Sequence, residues 1–338
     1  MNTKVKIKLD SIQEIPDINN YPEILEAAKL GNLIIFVGAG VSKLVDLPLW
    51  NQFAQDRLNT IYYDENLIDY RTYEGLKKLD AKKLLTICEI LMKEKQIKPK
   101  PAEQVFAIQD YEKYQNVYSK LYSMNAIYVT TNYDECLDRI AKEVENSRKL
   151  DEDINTNVNS KSLQSELSRE IVFERSDILE SKLKNGNVIH IHGSIKQEKD
   201  MLVTLNHYLE CYGANSENTF PELSVFLDKV FNSKYVVLFM GYGLEEYEIL
   251  EYMLSKNTNP EYKKKHYMLY PTYKEDYKMV ELLNKYYNNL GVELISFDIS
   301  RNGFSQLIPI IHEWADVLSE VSKEQDYMQN IQLIKDVI

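Results

Sequence analysis

The chain reads as an α/β protein built on a Rossmann-like, doubly wound, mostly parallel sheet, with a helical insertion and a helical C-terminal tail. Three observations lead there. Short apolar, β-branched runs recur along the chain, long amphipathic stretches separate most of them, and several runs end in glycine-rich or polar turns. Strands that alternate with helices are joined by crossovers, and crossovers favour parallel pairing.

The runs that read as strands are 33–37 (LIIFV), 126–130 (AIYVT), 188–192 (VIHIH), 201–204 (MLVT), 235–240 (YVVLFM), 266–270 (HYMLY) and 292–297 (VELISF). The first interval is too long for one crossover helix. Stretches 50–62, 73–95 and 101–124 have helical character, so a helical insertion is expected at about 51–124. From Glu143 to about Ser165 the chain is polar, rich in Asn and Glu and poor in large apolar residues, which predicts a flexible loop at 143–165. A helix is expected between that loop and the strand at Val188. Beyond Gly303 the chain reads as helix to its end, with Leu307, Ile310, Ile311, Trp314 and Leu318 at helical spacing. Three units result: an N-terminal extension (1–21), an α/β domain (22–303) and a C-terminal helical tail (304–338). The extension and the tail are candidate subunit contacts, and the tail is alternatively a cap on the core.

Composition narrows the functional classes. A net charge of −12 over 338 residues suits the surface poorly to gripping nucleic acid. No apolar run approaches the roughly 20 residues that cross a bilayer. The N-terminus, MNTKVKIKLDSIQEIP, lacks the hydrophobic stretch of a signal peptide, so a cytoplasmic protein is expected. Cys88, Cys136 and Cys211 are far apart and form no C-x-x-C pair, which argues against a disulfide framework and a thiolate zinc ribbon. All three are expected to be small buried apolar residues.

Four strand ends carry candidate chemistry. Gly38-Ala39-Gly40-Val41-Ser42 follows the first strand; such a turn lets backbone N–H groups approach a pyrophosphate, and Ser42 adds a hydroxyl. The third glycine and the acidic residue of the dehydrogenase form are missing. Thr131-Asn132-Tyr133-Asp134 follows the second strand, where Asn132 and Asp134 are either helix caps or site residues. In His190-Ile191-His192-Gly193-Ser194, strand alternation puts both histidines on one side, and His192 beside the loop suits general-base work. A metal there would need a third ligand such as His207, and nothing demands one. Gly241-Tyr242-Gly243-Leu244-Glu245-Glu246 repeats the small-residue turn, with acidic residues placed for a helix N-terminus. The carboxyl edge of an open parallel sheet is where ligands bind.

GAGVS, TTNYD, IHIHGS and MGYGLEE, in this order and spacing, resemble the sirtuin-like superfamily, and within it the bacterial anti-phage, NAD-cleaving branch. The resemblance spans about 33–250 and includes Leu47-Pro48-Leu49-Trp50 and 202–208 (LVTLNHY). It implies that 22–303 is an NAD-binding catalytic domain that hydrolyses NAD+ to ADP-ribose and nicotinamide, with NAD+ as substrate and no cofactor. By the same resemblance, Gly38, Ala39, Gly40 and Ser42 hold the pyrophosphate and nearby ribose. Asn132 orients the attacking water, and Asp134 holds the nicotinamide amide or organises the pocket. His192, with Gly193 beside it, contacts the ribose hydroxyls and acts as base. Gly241, Tyr242 and Gly243 lie against the adenosine half.

Two departures argue against protein deacylation: the four-cysteine zinc module is missing, and Leu49-Trp50-Asn51 stands where deacylases carry an acidic–aromatic–basic stretch. Zinc is therefore not expected. The resemblance also implies a homo-oligomer gated by a second component, such as a HerA-type ATPase. The alternative is a module that binds NAD or ADP-ribose without turnover.

Overall fold

Apolar runs buried on both faces become the central strands of a parallel sheet. The computed structural model describes residues 12–155, 170–212, 221–243, 246, 249–250, 253 and 265–337. Its strands are β1 (Leu33–Val37), β2 (Ile127–Thr130), β3 (Val172–Phe173), β4 (Val188–His190), β5 (Val236–Met240), β6 (His266–Thr272) and β7 (Val292–Asp298). They form one seven-stranded sheet, order β3-β4-β2-β1-β5-β6-β7, and every pair is parallel. Alternation sorts β1 between two cores. Ile35 and Val37 join one core, and Ile34 and Phe36 join the other.

The helices are α1 (Pro22–Lys29), α2 (Ala39–Lys43), α3 (Trp50–Asn59), α4 (Tyr70–Leu76), α5 (Ala81–Lys95), α6 (Ala102–Val105), α7 (Tyr111–Ser123), α8 (Cys136–Asn155), α9 (Leu205–Tyr212), α10 (Pro221–Asn232), α11 (Tyr277–Asn289) and α12 (Leu307–Val337). α1, α7, α8 and α12 supply residues to the core that holds Ile35, and α10 and α11 to the core that holds Ile34. Leu307, Ile310, Ile311, Trp314 and Leu318 are all buried, so α12 caps the core. Residues 12–20 also pack within the chain: Asp298 N–H donates to Gln13 O (2.8 Å) and Trp314 Nε1 to Pro16 O (2.8 Å). The rest of the expected extension, 1–11, lies outside the described residues.

The helical insertion is present, with its own core of Phe53, Leu58, Leu85, Cys88, Met92 and Phe106, but it closes near Phe106 because α7 packs on the sheet instead. The stretch 73–95 is two helices, because Asp80 caps α5 by accepting from Lys83 N–H. The stretch 101–124 is also two, with Asp110 capping α7. α3 ends at Asn59 and passes into a π-helical turn, Thr60–Asp64.

Three expectations are corrected. Residues 201–204 form no strand: Met201 enters the core of the insertion, and Leu202 N–H donates to His192 O (3.0 Å). The strand beyond β4 is instead the two-residue β3, too short to carry periodicity. The expected loop at 143–165 is helical as far as Asn155, and from Glu143 to Lys149 this helix is exposed or half-buried; a helix packed on one stripe keeps polar residues around the rest. Residues 156–165 lie outside the described ones. Among the described residues from 170 to β4, where a helix was expected, stand 3₁₀ turns at Arg175–Asp177 and Glu180–Lys182.

β2, β4 and β3 lie on one side of β1, and β5, β6 and β7 on the other. The chain reverses its direction of growth between β1 and β5, and the carboxyl ends of those two strands border the crevice that such a reversal opens. The three cysteines are free and buried. No helix among the described residues is long and apolar enough to cross a membrane.

Candidate active site

At the crevice, two glycine turns touch through their backbones. Gly40 N–H donates to Gly241 O (2.8 Å), and Gly38 N–H to Met240 O (2.9 Å). A Cβ on Gly38 would sit 2.5 Å from Gly241 O, and one on Gly40 2.7 Å from it. Gly241 itself has φ +62°, and a Cβ there would meet Val41 N at 2.5 Å. These glycines are therefore required by the contact between the β1 and β5 turns, and the amides of Gly38 and Gly40 are already engaged. Ala39, first in α2, has no helical acceptor behind its N–H.

Above the turns opens a cavity of about 1090 Å³, at the upper end of the range for ligand sites. Ala39, Gly40, Ser42, Asn132, Asp134, His192, Gly241, Tyr242 and Gly243 line it, so most of the expected residues converge there. Two do not. Gly38 is buried behind the turn. Gly193 (φ +76°) faces away, and a Cβ on it would lie 2.5 Å from Asp200 O. The insertion closes the other wall with Trp50, Gln55, Lys77, Lys78 and Lys82. The Gln55 Nε2 is buried with no hydrogen-bond partner among the described residues. Lys43 adds a further positive charge, in a chain whose net charge is −12.

A buried network orients Asn132. Ser42 Oγ donates to Asp134 Oδ2 (2.7 Å), which uses its only proton. Ser42 Oγ must then accept from Asn132 Nδ2 (2.9 Å) and from the Tyr118 hydroxyl (3.2 Å). The direction of these bonds decides the amide flip: Nδ2 points to Ser42. Oδ1 is left without a donor among the described residues, and it is the atom available to the cavity. Ser42, expected to hold the pyrophosphate and nearby ribose, is only 2 % exposed where it lines the cavity, and it also holds Asn132. Asp134 caps α8, its Oδ1 accepting from Cys136 N–H (3.1 Å), and it also lines the cavity.

The two histidines do not share a side, because β4 ends at His190 and the chain turns before His192. His190 is fully buried, with Nε2 2.7 Å from Asp138 Oδ1 and Nδ1 3.0 Å from Asn132 O. Lys196 pairs with the other Asp138 oxygen. Burial alone would lower the His190 pKa, but the Asp138 carboxylate outweighs it and holds the ring up to about 9. Burial would raise Asp138, yet His190 and Lys196 hold it down to about 2.

His192 meets aromatic partners instead. Its Nε2 lies 2.9 Å from the Tyr212 hydroxyl, and its Nδ1 3.4 Å from that of Tyr208. Burial, reinforced by the positive charges of Lys82 and Arg175, pushes its pKa down to about 3. The Glu246 carboxylate, 3.8 Å away and accepting from the Tyr242 hydroxyl (2.7 Å), lies beyond hydrogen-bond range. Glu245 of the same motif lies outside the described residues. Asp138, Tyr118 and Tyr212 carried no local signal of their own, since each acts through a neighbour remote in the chain.

The sequence model of the SIR2-like domain matches residues 126–295, half of the chain, running from β2 into β7 and taking in Asn132, His192 and the Gly241 turn. No curated protein matches.

Proposed function

The chain belongs to the SIR2-like family, and from that premise we propose that it is an NAD+ glycohydrolase, converting NAD+ and water to ADP-ribose and nicotinamide. One observation carries the reading: the free Oδ1 of Asn132 and the neutral ring of His192 meet in a cavity of dinucleotide size, edged by Lys43, Lys77, Lys78 and Lys82. The lysines face the pyrophosphate. Asn132 Oδ1 accepts from a water and aims its lone pair at C1′ of the nicotinamide ribose.

The C1′–N bond breaks with its electron pair leaving on nicotinamide, which cancels the pyridinium charge. The water oxygen bonds to C1′ and sheds one proton. Because the transition state is oxocarbenium-like, a positive charge beside it would oppose the reaction. A histidine kept neutral by burial adds none. The attacking water becomes strongly acidic as it bonds, so a weak base such as His192 suffices. A ribose hydroxyl replaces that of Tyr212 on its Nε2 and relays the water's proton to that nitrogen. Zinc has no place in this reading, because the sequence lacks the four-cysteine module.

The resemblance of the motifs extends the proposal to an anti-phage effector that depletes NAD+, working as a homo-oligomer held in check by a second component, of which a HerA-type ATPase is one kind. Co-migration of such a protein with this chain tests that part. The second reading is a module that binds NAD or ADP-ribose without turnover; the full hydrogen-bonding of the His192 ring favours it. Nicotinamide release by the purified protein, alone and with lysate of phage-infected cells, decides between them. Release that disappears in Asn132→Ala supports the hydrolase. NAD binding with no release under either condition supports the module.

A further inference from the structure

The His190 ring makes two short contacts, and neither partner can donate. Asn132 O is a backbone carbonyl. Asp138 is a carboxylate engaged by Lys196 on its other oxygen. Both ring nitrogens must therefore donate, which requires a doubly protonated ring. The charges around it are Asp138 on α8, Lys196 in the turn after Ser194, Glu174 after β3, and Glu135, 3.5 Å from Lys196. Stability alone does not account for this cluster, since a well-packed apolar set would serve as well or better. His190 does not line the cavity, and through Asn132 O it reaches the residue that does.

We infer that His190, held as a double donor by Asp138, is a positioning residue for Asn132. The inference rests on the reading of Asn132 as the group that places the water. Asn132 is then pinned at three atoms: its N–H by Thr130 Oγ1 (3.0 Å), its O by His190 and its Nδ2 by Ser42. Only Oδ1 is left over. Without the His190 contact, the peptide that follows Asn132 is free to pivot. The water is then displaced, and displacements of about 1 Å cost on the order of 100-fold in rate.

The test uses the full chain. In nitrogen-15 spectra of the wild type at neutral pH, the His190 ring, assigned by its loss in His190→Gln, should show both nitrogens protonated. His190→Gln should lower kcat for nicotinamide release by about tenfold or more, leave KM for NAD+ within about threefold, and move the Asn132 side-chain amide resonance. Asp138→Asn, the milder variant, should do the same to a lesser degree. A neutral His190 ring, or unchanged kcat and an unmoved Asn132 amide in both variants, overturns the inference. A wild type that releases no nicotinamide, alone or with lysate of phage-infected cells, overturns the hydrolase reading alone; the ring protonation and the Asn132 resonance then still decide the positioning role.

Discussion

His190 and His192 stand two residues apart, both buried, and are driven to opposite protonation states. On one side of the strand end, α8 presents a carboxylate to His190. On the other, α9 presents two tyrosine hydroxyls to His192, while Lys82 and Arg175 add positive charge. Burial disfavours the cation in both places, and only an ionised partner reverses that outcome. The same residue type thus becomes a fixed cation behind the site and a neutral ring inside it. A histidine's role depends on its partner more than on its place in a motif.

Removing the partner tests this contrast most severely. Asp138→Ala removes the carboxylate from both the buried His190 ring, which then sheds its proton and leaves Asn132 O unpaired or poorly paired, and Lys196. It should cost about 3–5 kcal/mol of stability, seen in denaturant unfolding. A loss no greater than that of a surface substitution would mean that the His190 side is not ionic.

The pH dependence of stability should separate the two rings. The folded pKa of His190 is raised to about 9, so its contribution is complete below about 6.5 and is lost as pH rises towards 9. That of His192 is lowered to about 3, so its contribution is complete above about 6.5 and is lost as pH falls towards 3. The swing is on the order of 3 kcal/mol for His190 and on the order of 5 kcal/mol for His192. His190→Gln should flatten the alkaline arm of the stability profile, and His192→Gln the acid arm. Variants that flatten the same arm would contradict the contrast.

His192→Ala should reduce nicotinamide release about 100-fold with the fold intact, because that ring borders the cavity. Thermal unfolding beside the rate assay checks both halves of the claim. The smallest change is expected from Tyr212→Phe, which removes a neutral hydroxyl from His192 Nε2 and should cost about 1 kcal/mol or less in unfolding experiments. A loss as large as that of Asp138→Ala would make the two sides alike.

Much of the fold was legible. β1 matches its expected bounds, since five consecutive apolar residues buried on both faces leave no ambiguity. β3 was not, because two residues cannot show a period, and the part of α8 beyond Glu143 was read as a loop because it is polar. The site was legible in the same uneven way. The glycine turns, Asn132 and His192, singled out because small and polar residues at strand ends are local signals, do gather at one cavity. Tertiary contacts add tasks at these positions that the motifs do not show: Gly38 and Gly193 accommodate neighbouring backbone, and Ser42 orients Asn132.

Residue order alone settled the α/β class, six of the seven strands and the edge of the sheet that carries the polar turns, because these follow from side-chain periodicity within a few residues. Packing decided which amide atom of Asn132 is available to the cavity and which histidine keeps its proton. Those outcomes depend on Ser42, 90 positions from Asn132, and on Asp138, 52 positions from His190. Hydrogen bonds and Coulomb interactions act over ångströms in space, and only the folded chain sets those distances.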